Sequence, residues 1–332
     1  MKNFLAYALL CALPLFGSCK KDADLIDCAT ETESGSVLTA TLTKHAVPVQ
    51  QFTVTPNSAA VVRTAAGSTI YVPASLVRPD GRPLSGSPVE VRVQEVTKRS
   101  EMIFTNTPTI SNGQLLESGG MFNVAFQQDG QQLRLSRNSL VVRTSLPTAL
   151  STTANMQLFR GLPDSANRTQ VGSWSQINTQ TQQDSSRIFP VMSPIGNGTV
   201  VGFQVNLSPN IYNFNLGLLN WINCDRFVTA TNRTTVQVNV TRQPVTNATT
   251  RSFLVFTNLN SVLSAYLGGA TSNTFYASAI PVGQSVTAVV LHQEGTQLYF
   301  GKQTAIIAAN QQFSPTLRPV TEAELTTEIN AL

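Results

Sequence analysis

QFTVTPNSAAVVRTAAGSTIYVPASLVRPDGRPLSGSPVEVRVQEV, residues 51–96, decides the fold class. QFTVT alternates polar and apolar residues, as a strand with one buried face does. AAVVRT, STIYVP and PVEVRVQEV repeat the pattern and are rich in β-branched residues. Turn chemistry separates them. In Pro79-Asp80-Gly81, proline presets one φ and glycine accepts a positive one. Short strands at this spacing predict an antiparallel sandwich.

The pattern continues outward. MIFTNT, MFNVAFQQ and LRLSRNSLVVRT read as strands, with turns at Asn112-Gly113 and Asp129-Gly130. Gly119 and Gly120 predict a backbone bulge or a tight bend, since no helical pattern follows them to make a phosphate-binding loop. SLPTALSTTAN, residues 145–155, reads as a joint between domains. The first β-sandwich module is therefore expected over 51–147 and a second β-rich module over 155–332. In the second, TVVGFQVNL, TTVQVNV, RSFLVFTN and the run from Ala277 to Ile307 read as strands, with turns at Pro281-Val282-Gly283 and Glu294-Gly295. Thr321 and Glu324 form a capping box, with Val320 and Leu325 as a staple. Leu325, Ile329 and Leu332 then share one face of a short terminal helix. The expected fold class is all-β: two sandwich-like modules and a C-terminal helix.

The chain opens with MKNFLAYALLCALPLFGSCKK. An apolar run from Phe4 to Phe16 leads through Gly17 and Ser18 to Cys19, the pattern of a signal peptide over 1–18. The run is too short, and too closely followed by lysines, for a spanning helix. Residues 19–50 carry KKDAD and ETESGS and read as a flexible tether. The cysteine context resembles the lipobox of bacterial lipoproteins, although Leu15 lies four places before Cys19 and Phe16 three. SCKKD is similar to lipoproteins of Bacteroidota. The resemblance implies acylation of Cys19, attachment to a membrane through lipid, and an outer-membrane lipoprotein of the cell envelope, facing periplasm or surface.

Two further resemblances follow. GSTIYVPASLV, PVEVRVQEV and LLESGGMFNVAF resemble the β-sandwich domain shared by ankyrins and netrin receptors. The string LGLLNWINCDRF, residues 216–227, is similar to one in Bacteroidota surface lipoproteins and brings no activity with it. The second module is similar to small sandwiches of the transthyretin-like type.

Composition removes several classes of function. Charged residues make up 12% of 332, and the net charge of +4 is dispersed. No Lys/Arg cluster is larger than the Lys20-Lys21 pair, so no nucleic-acid partner is expected. There are two histidines. His45 falls in the tether, and His292 reads as a solvated or loop-capping residue. With no G-x-S-x-G elbow, nucleophilic hydrolysis is not expected. Zinc would need closely spaced His or Cys ligands, and calcium a D-x-D-x-D-G loop, so no metal or cofactor is expected. The carboxylates on the expected strands include Glu90, Glu95, Glu117 and Asp225, with Glu90 read as facing solvent. Cys28 and Cys224 remain after loss of the leader and lipidation. They either pair as a disulfide or stay as a tail thiol and a buried small hydrophobe.

The candidate recognition residues are Trp174, Trp221, Asp225 and Arg226. Trp174 lies in a polar passage and is expected to be the exposed tryptophan. Asp225 and Arg226 read as a locally buried ion pair, or Asp225 as a loop-fixing carboxylate, beside a core Trp221; the alternative is a recognition patch. Asp164-Ser165-Ala166 matches a short O-glycosylation pattern at Ser165. The resulting expectation is a non-enzymatic, lipid-anchored envelope protein with a structural or protein-binding role. The alternative is a surface lipoprotein that binds a polysaccharide.

Overall fold

The computed structural model describes residues 36–135, 140–145, 147–152, 155–164, 170–177, 191–192, 199–200, 204–206, 211–216 and 220–332. The leader, Cys19, Cys28 and Ser165 lie outside the described residues. Residues 36–332 form one compact unit. It is all-β, with three short helices among the described residues, the last at the C-terminus.

One sheet runs in the order Gln50–Val54, Val89–Val96, Gln114–Gln128, Asn220–Phe227, Gln157–Pro163, Val171–Gln176. A second runs Gln204–Asn206, Ile211–Leu216, Leu140–Ser145, Thr69–Val72, Ala60–Arg63. Their facing residues make one core. Val89, Val91, Val93, Phe122, Val124 and Phe126 come from the first sheet, and Val62, Ile70, Leu140 and Val142 from the second. Residues 89–94 alternate between buried and half-buried, as the sequence pattern requires, and Glu95 and Val96 are both buried.

The boundary expected between 147 and 155 does not separate two modules. Gln114–Gln128 pairs antiparallel with Asn220–Phe227, and Leu140–Ser145 pairs with Ile211–Leu216. The WINCDRF string is thus a central strand of the first sandwich. Its alternation of apolar and polar residues suits either module, so only the pairing assigns it.

Residues after Phe227 build a curled sheet of their own. Its order is Gln312–Phe313, Arg233–Asn239, Thr274–Pro281, Val262–Leu267, Thr250–Phe256, Ser285–Glu294, Gln297–Ile306, Arg318–Val320. The concave side holds Val236, Val238, Leu254, Phe256, Phe275, Val286, Ala288 and Val290.

The helices line a third core between sandwich and curled sheet. Helix α1 spans Val37–His45, capped by Ser36, whose Oγ accepts from the Thr39 amide at 3.1 Å. Residues 36–50 are therefore folded, contrary to the tether reading. Leu38, Thr41 and Leu42 fall on one buried face, a stripe too short to stand out among threonines. Helix α2 spans Arg99–Phe104, where the sequence predicted a strand. Glu101 turns back to accept from the amides of Thr97 at 2.7 Å and Lys98 at 3.0 Å, which nucleates the turn. Helix α3 spans Glu322–Asn330 with the expected box: the Glu324 amide donates to Thr321 Oγ1 at 3.2 Å, and the Thr321 amide to Glu324 Oε2 at 2.7 Å. Leu38, Met102, Ile103, Leu325 and Ile329 pack with Phe159 and Trp174 of the sandwich and with Phe253, Leu291 and Phe300 of the curled sheet.

Two turns match their sequence exponents. Asn112-Gly113 and Asp129-Gly130 each close a two-residue hairpin with positive φ at both residues. The Gly119-Gly120 bulge is present. Between Asn223 and Asp225 the partner moves from Met121 to Ser118, one residue too many, and Gly120 has φ +129°.

Candidate functional site

The predicted recognition residues are drawn inward. Trp174 is 0% exposed, and its Nε1 donates to the Pro108 carbonyl at 2.7 Å. It meets Trp221 edge to face, centroids 6.5 Å apart. Gly161, paired with Trp174, leaves the room: a Cβ there would lie 2.7 Å from Trp221 Cβ. Trp174 is thus a core residue and not an exposed one. The polar residues around it in sequence hide this, because Pro108 and Trp221, which meet its ring, come from elsewhere in the chain. Trp221 is half-buried against the same core.

Asp225 and Arg226 do not pair with each other. Neighbouring strand residues point to opposite faces. Arg226 instead meets Glu117, its partner in register, with Nε at 2.7 Å and Nη2 at 2.6 Å from Oε2. The Ser151 amide and hydroxyl complete the shell of Glu117 at 2.7 and 2.6 Å. Asp225 is buried, and Oδ2 accepts from Asn223 Nδ2 at 2.6 Å while Oδ1 has no hydrogen-bond partner. Burial holds its pKa well above the usual carboxyl range; the Ser118 hydroxyl opposes this and the Glu117 charge adds to it. Cys224 sits in the sandwich core, and burial pushes its thiol up.

Several other titratable groups are also engaged within the protein. Glu95 is buried and accepts from the hydroxyls of Ser68 and, at 2.6 Å, Thr64. Glu90 is part-exposed beside Arg92. His45 closes α1 onto α3, 2.8 Å from Glu322. His292 is fully buried, not solvated. Its Nδ1 lies 2.8 Å from Thr250 Oγ1, and its Nε2 lies 3.5 Å from Glu294 Oε1. Burial lowers its pKa, so the ring is neutral at pH 7. Glu294 is gripped by Arg242 at 2.7 and 2.8 Å, which holds its carboxyl at about 2. Arg242 in turn lies over the Tyr299 ring, 3.9 Å from its centroid. Hydroxyl, imidazole and carboxylate thus stand in line, yet the hydroxyl and the imidazole are sealed from any substrate. Among the described residues no group of acids, histidines and cysteines is placed to hold a metal.

Exposed chemistry lies elsewhere. Tyr266 is 58% exposed and Tyr276 38%, and they stand directly opposite on neighbouring strands of the curled sheet. Gln237 is opposite Tyr276, and Gln312 is opposite Gln237. The four side chains make one row across four strands, roughly 15 Å long. Phe275 and Val238, one position along, point the other way into the core. Gly268 fixes the Tyr276 ring: a Cβ there would be 2.5 Å from Cε2. Thr274 donates to Asn239 at 2.9 Å in the next row. Burial, then the charge of Asp164, raises the Tyr266 phenol pKa, so it stays a neutral donor. Two rings beside two amides can offer apolar stacking and hydrogen bonds together. Sequence reading missed this row. Tyr266 and Tyr276 each sit at an ordinary outward position of an alternating strand, and only register joins them.

The chain matches no family model and no curated protein sequence.

Proposed function

We propose that this protein is a non-enzymatic, lipid-anchored component of the cell envelope that binds another envelope protein. The observation behind the reading is a division of labour. Groups able to do chemistry (Glu95, Glu117, Asp225, His292) are buried, while the exposed aromatics lie on open sheet faces. Attachment would come through Cys19, acylated after removal of residues 1–18. Among the described residues no helix is long and apolar enough to cross a membrane, so attachment would rest on the lipid or on residues outside that set. Cross-linking of intact cells expressing a tagged full chain tests the reading. A reproducible protein adduct is expected; recovery of polysaccharide without protein overturns it in favour of the second reading.

That second reading, glycan binding, is favoured by the Tyr266–Tyr276–Gln237–Gln312 row. Pyranose rings stack on aromatic faces while amides take their hydroxyls. The stacking role falls to the two tyrosines and not to buried Trp174. Tyr266→Ala should then abolish retardation in polysaccharide-containing native gels and leave the thermal midpoint unchanged. Unaltered retardation removes the row from the reading.

A further inference from the structure

The two sheets of the sandwich end on the same side. Gln50–Val54 is the last strand of one, and Ala60–Arg63 the last strand of the other. Between these two edges runs an open groove of about 870 Å³. Its floor is sandwich core: Val54 and Val62 are buried there, with Phe52 and Ala60 packed against them. Its rim is different. Val61 is 54% exposed and Tyr71, directly opposite it, 37%. Arg63 lies opposite Thr69, and Thr69 opposite Arg143, so two exposed guanidinium groups share the outer face of that sheet. Among the described residues neither arginine has an acidic partner within 4.0 Å. None of the residues lining the groove is acidic.

We infer that this groove receives an extended peptide segment of the partner protein, alternating apolar and acidic residues, as an added strand on Ala60–Arg63. The inference rests on the protein-binding reading above and specifies the partner's chemistry. An edge strand carries backbone N–H and C=O groups free to pair with another chain. A strand added there turns alternate side chains inward and outward. Inward ones would cover Val54, Val62 and Phe52, so they must be apolar. Outward ones would lie in register beside Arg63, so acids are matched and bases repelled. A second copy of this chain fits less well, because it brings another Arg63 to the same edge. The concave shape also suits a chain better than a flat lipid surface.

The test places a photo-cross-linking residue at Val61 in the full chain on intact cells, with one at exposed Ile306 as control. A discrete protein adduct is expected at Val61, and its linked peptide should alternate acidic and apolar residues. Arg63→Glu should cut the yield about tenfold and Arg63→Gln less, since a like charge opposes where a neutral one merely fails to attract. Both variants replace an exposed side chain, and an unchanged circular-dichroism melt confirms the fold. A basic or polar linked peptide, a polysaccharide adduct, or a yield unmoved by Arg63→Glu overturns the inference. Protein adducts at Ile306 alone also overturn it, while leaving the protein-binding reading intact. Absence of protein adducts at both positions, together with failure of whole-cell cross-linking, defeats both.

Discussion

The sandwich and the curled sheet use the same kind of strand and are assembled in opposite ways. In the curled sheet most neighbours are close in sequence: Val262–Leu267 lies between Thr250–Phe256 and Thr274–Pro281, and Ser285–Glu294 folds straight back on Gln297–Ile306. In the sandwich the central pair joins Gln114–Gln128 to Asn220–Phe227 across much of the chain. Closing a longer loop costs more entropy before any contact forms. The interiors differ too. Among the described residues the sandwich and its border bury three carboxylates, Glu95, Glu117 and Asp225, whereas the concave core of the curled sheet adds to its apolar side chains the hydroxyls of Thr250 and Ser252 and the ring of His292. Long-range assembly here goes with buried polar pairing. Such pairing is strict about geometry and can reject the many alternative registers that equally apolar strands would accept.

Arg226→Ala should give the largest effect. It leaves Glu117 buried without its cation, a loss of about 4 kcal/mol. Urea unfolding followed by hydrogen exchange should show lost protection in 114–128 and 220–227 while 285–306 stays protected. Equal loss in both regions would make the molecule one cooperative block and end the contrast. Leu254→Ala probes the apolar side of the comparison. Leu254 is fully buried in the curled sheet, and its truncation should cost about 3 kcal/mol, with exchange rising first in 250–267.

Two pH experiments sharpen the contrast further. Asp225 titrates above its ordinary value of 3.8 in the folded state. Its contribution to stability is therefore full below 3.8 and declines as pH rises towards the folded value. Asp225→Asn removes that decline, so the variant should gain on the natural protein between pH 4 and 7 in denaturant midpoints. A constant difference across that range would mean that Asp225 ionises freely. Glu294 on the curled sheet behaves oppositely. Its carboxyl is held at about 2, against an ordinary 4.5, so it stabilises above 4.5 and the gain is lost as pH falls through about 2. Glu294→Gln should flatten that acid limb slightly. The effect should shrink with added salt, because the pair is partly exposed.

Much of the local structure could be read directly. Asn-Gly and Asp-Gly mark their hairpins because only such residues take two positive φ values cheaply. Thr321 and Glu324 mark their helix because the cap is a contact between near neighbours. The paired glycines mark a bulge for the same local reason. The site was less readable. The sequence suggests an exposed Trp174 because its polar neighbours along the chain are not its neighbours in space. Arg226 and Asp225 are adjacent along the strand, but the alternating geometry sends the two side chains apart, so adjacency in sequence does not give contact.

By itself, then, the sequence determined an all-β chain, its turns and its terminal helix, all of which depend on residue period and local backbone preference. Tertiary structure alone decided that WINCDRF belongs to the first sandwich and that α1 and α2 fill the space between the two halves. It also decided that Tyr266 meets Tyr276 and that two sheet edges open onto one groove. Alternating strands are nearly interchangeable in sequence, and only the joint fit of apolar cores, buried charges and register selects one pairing among them.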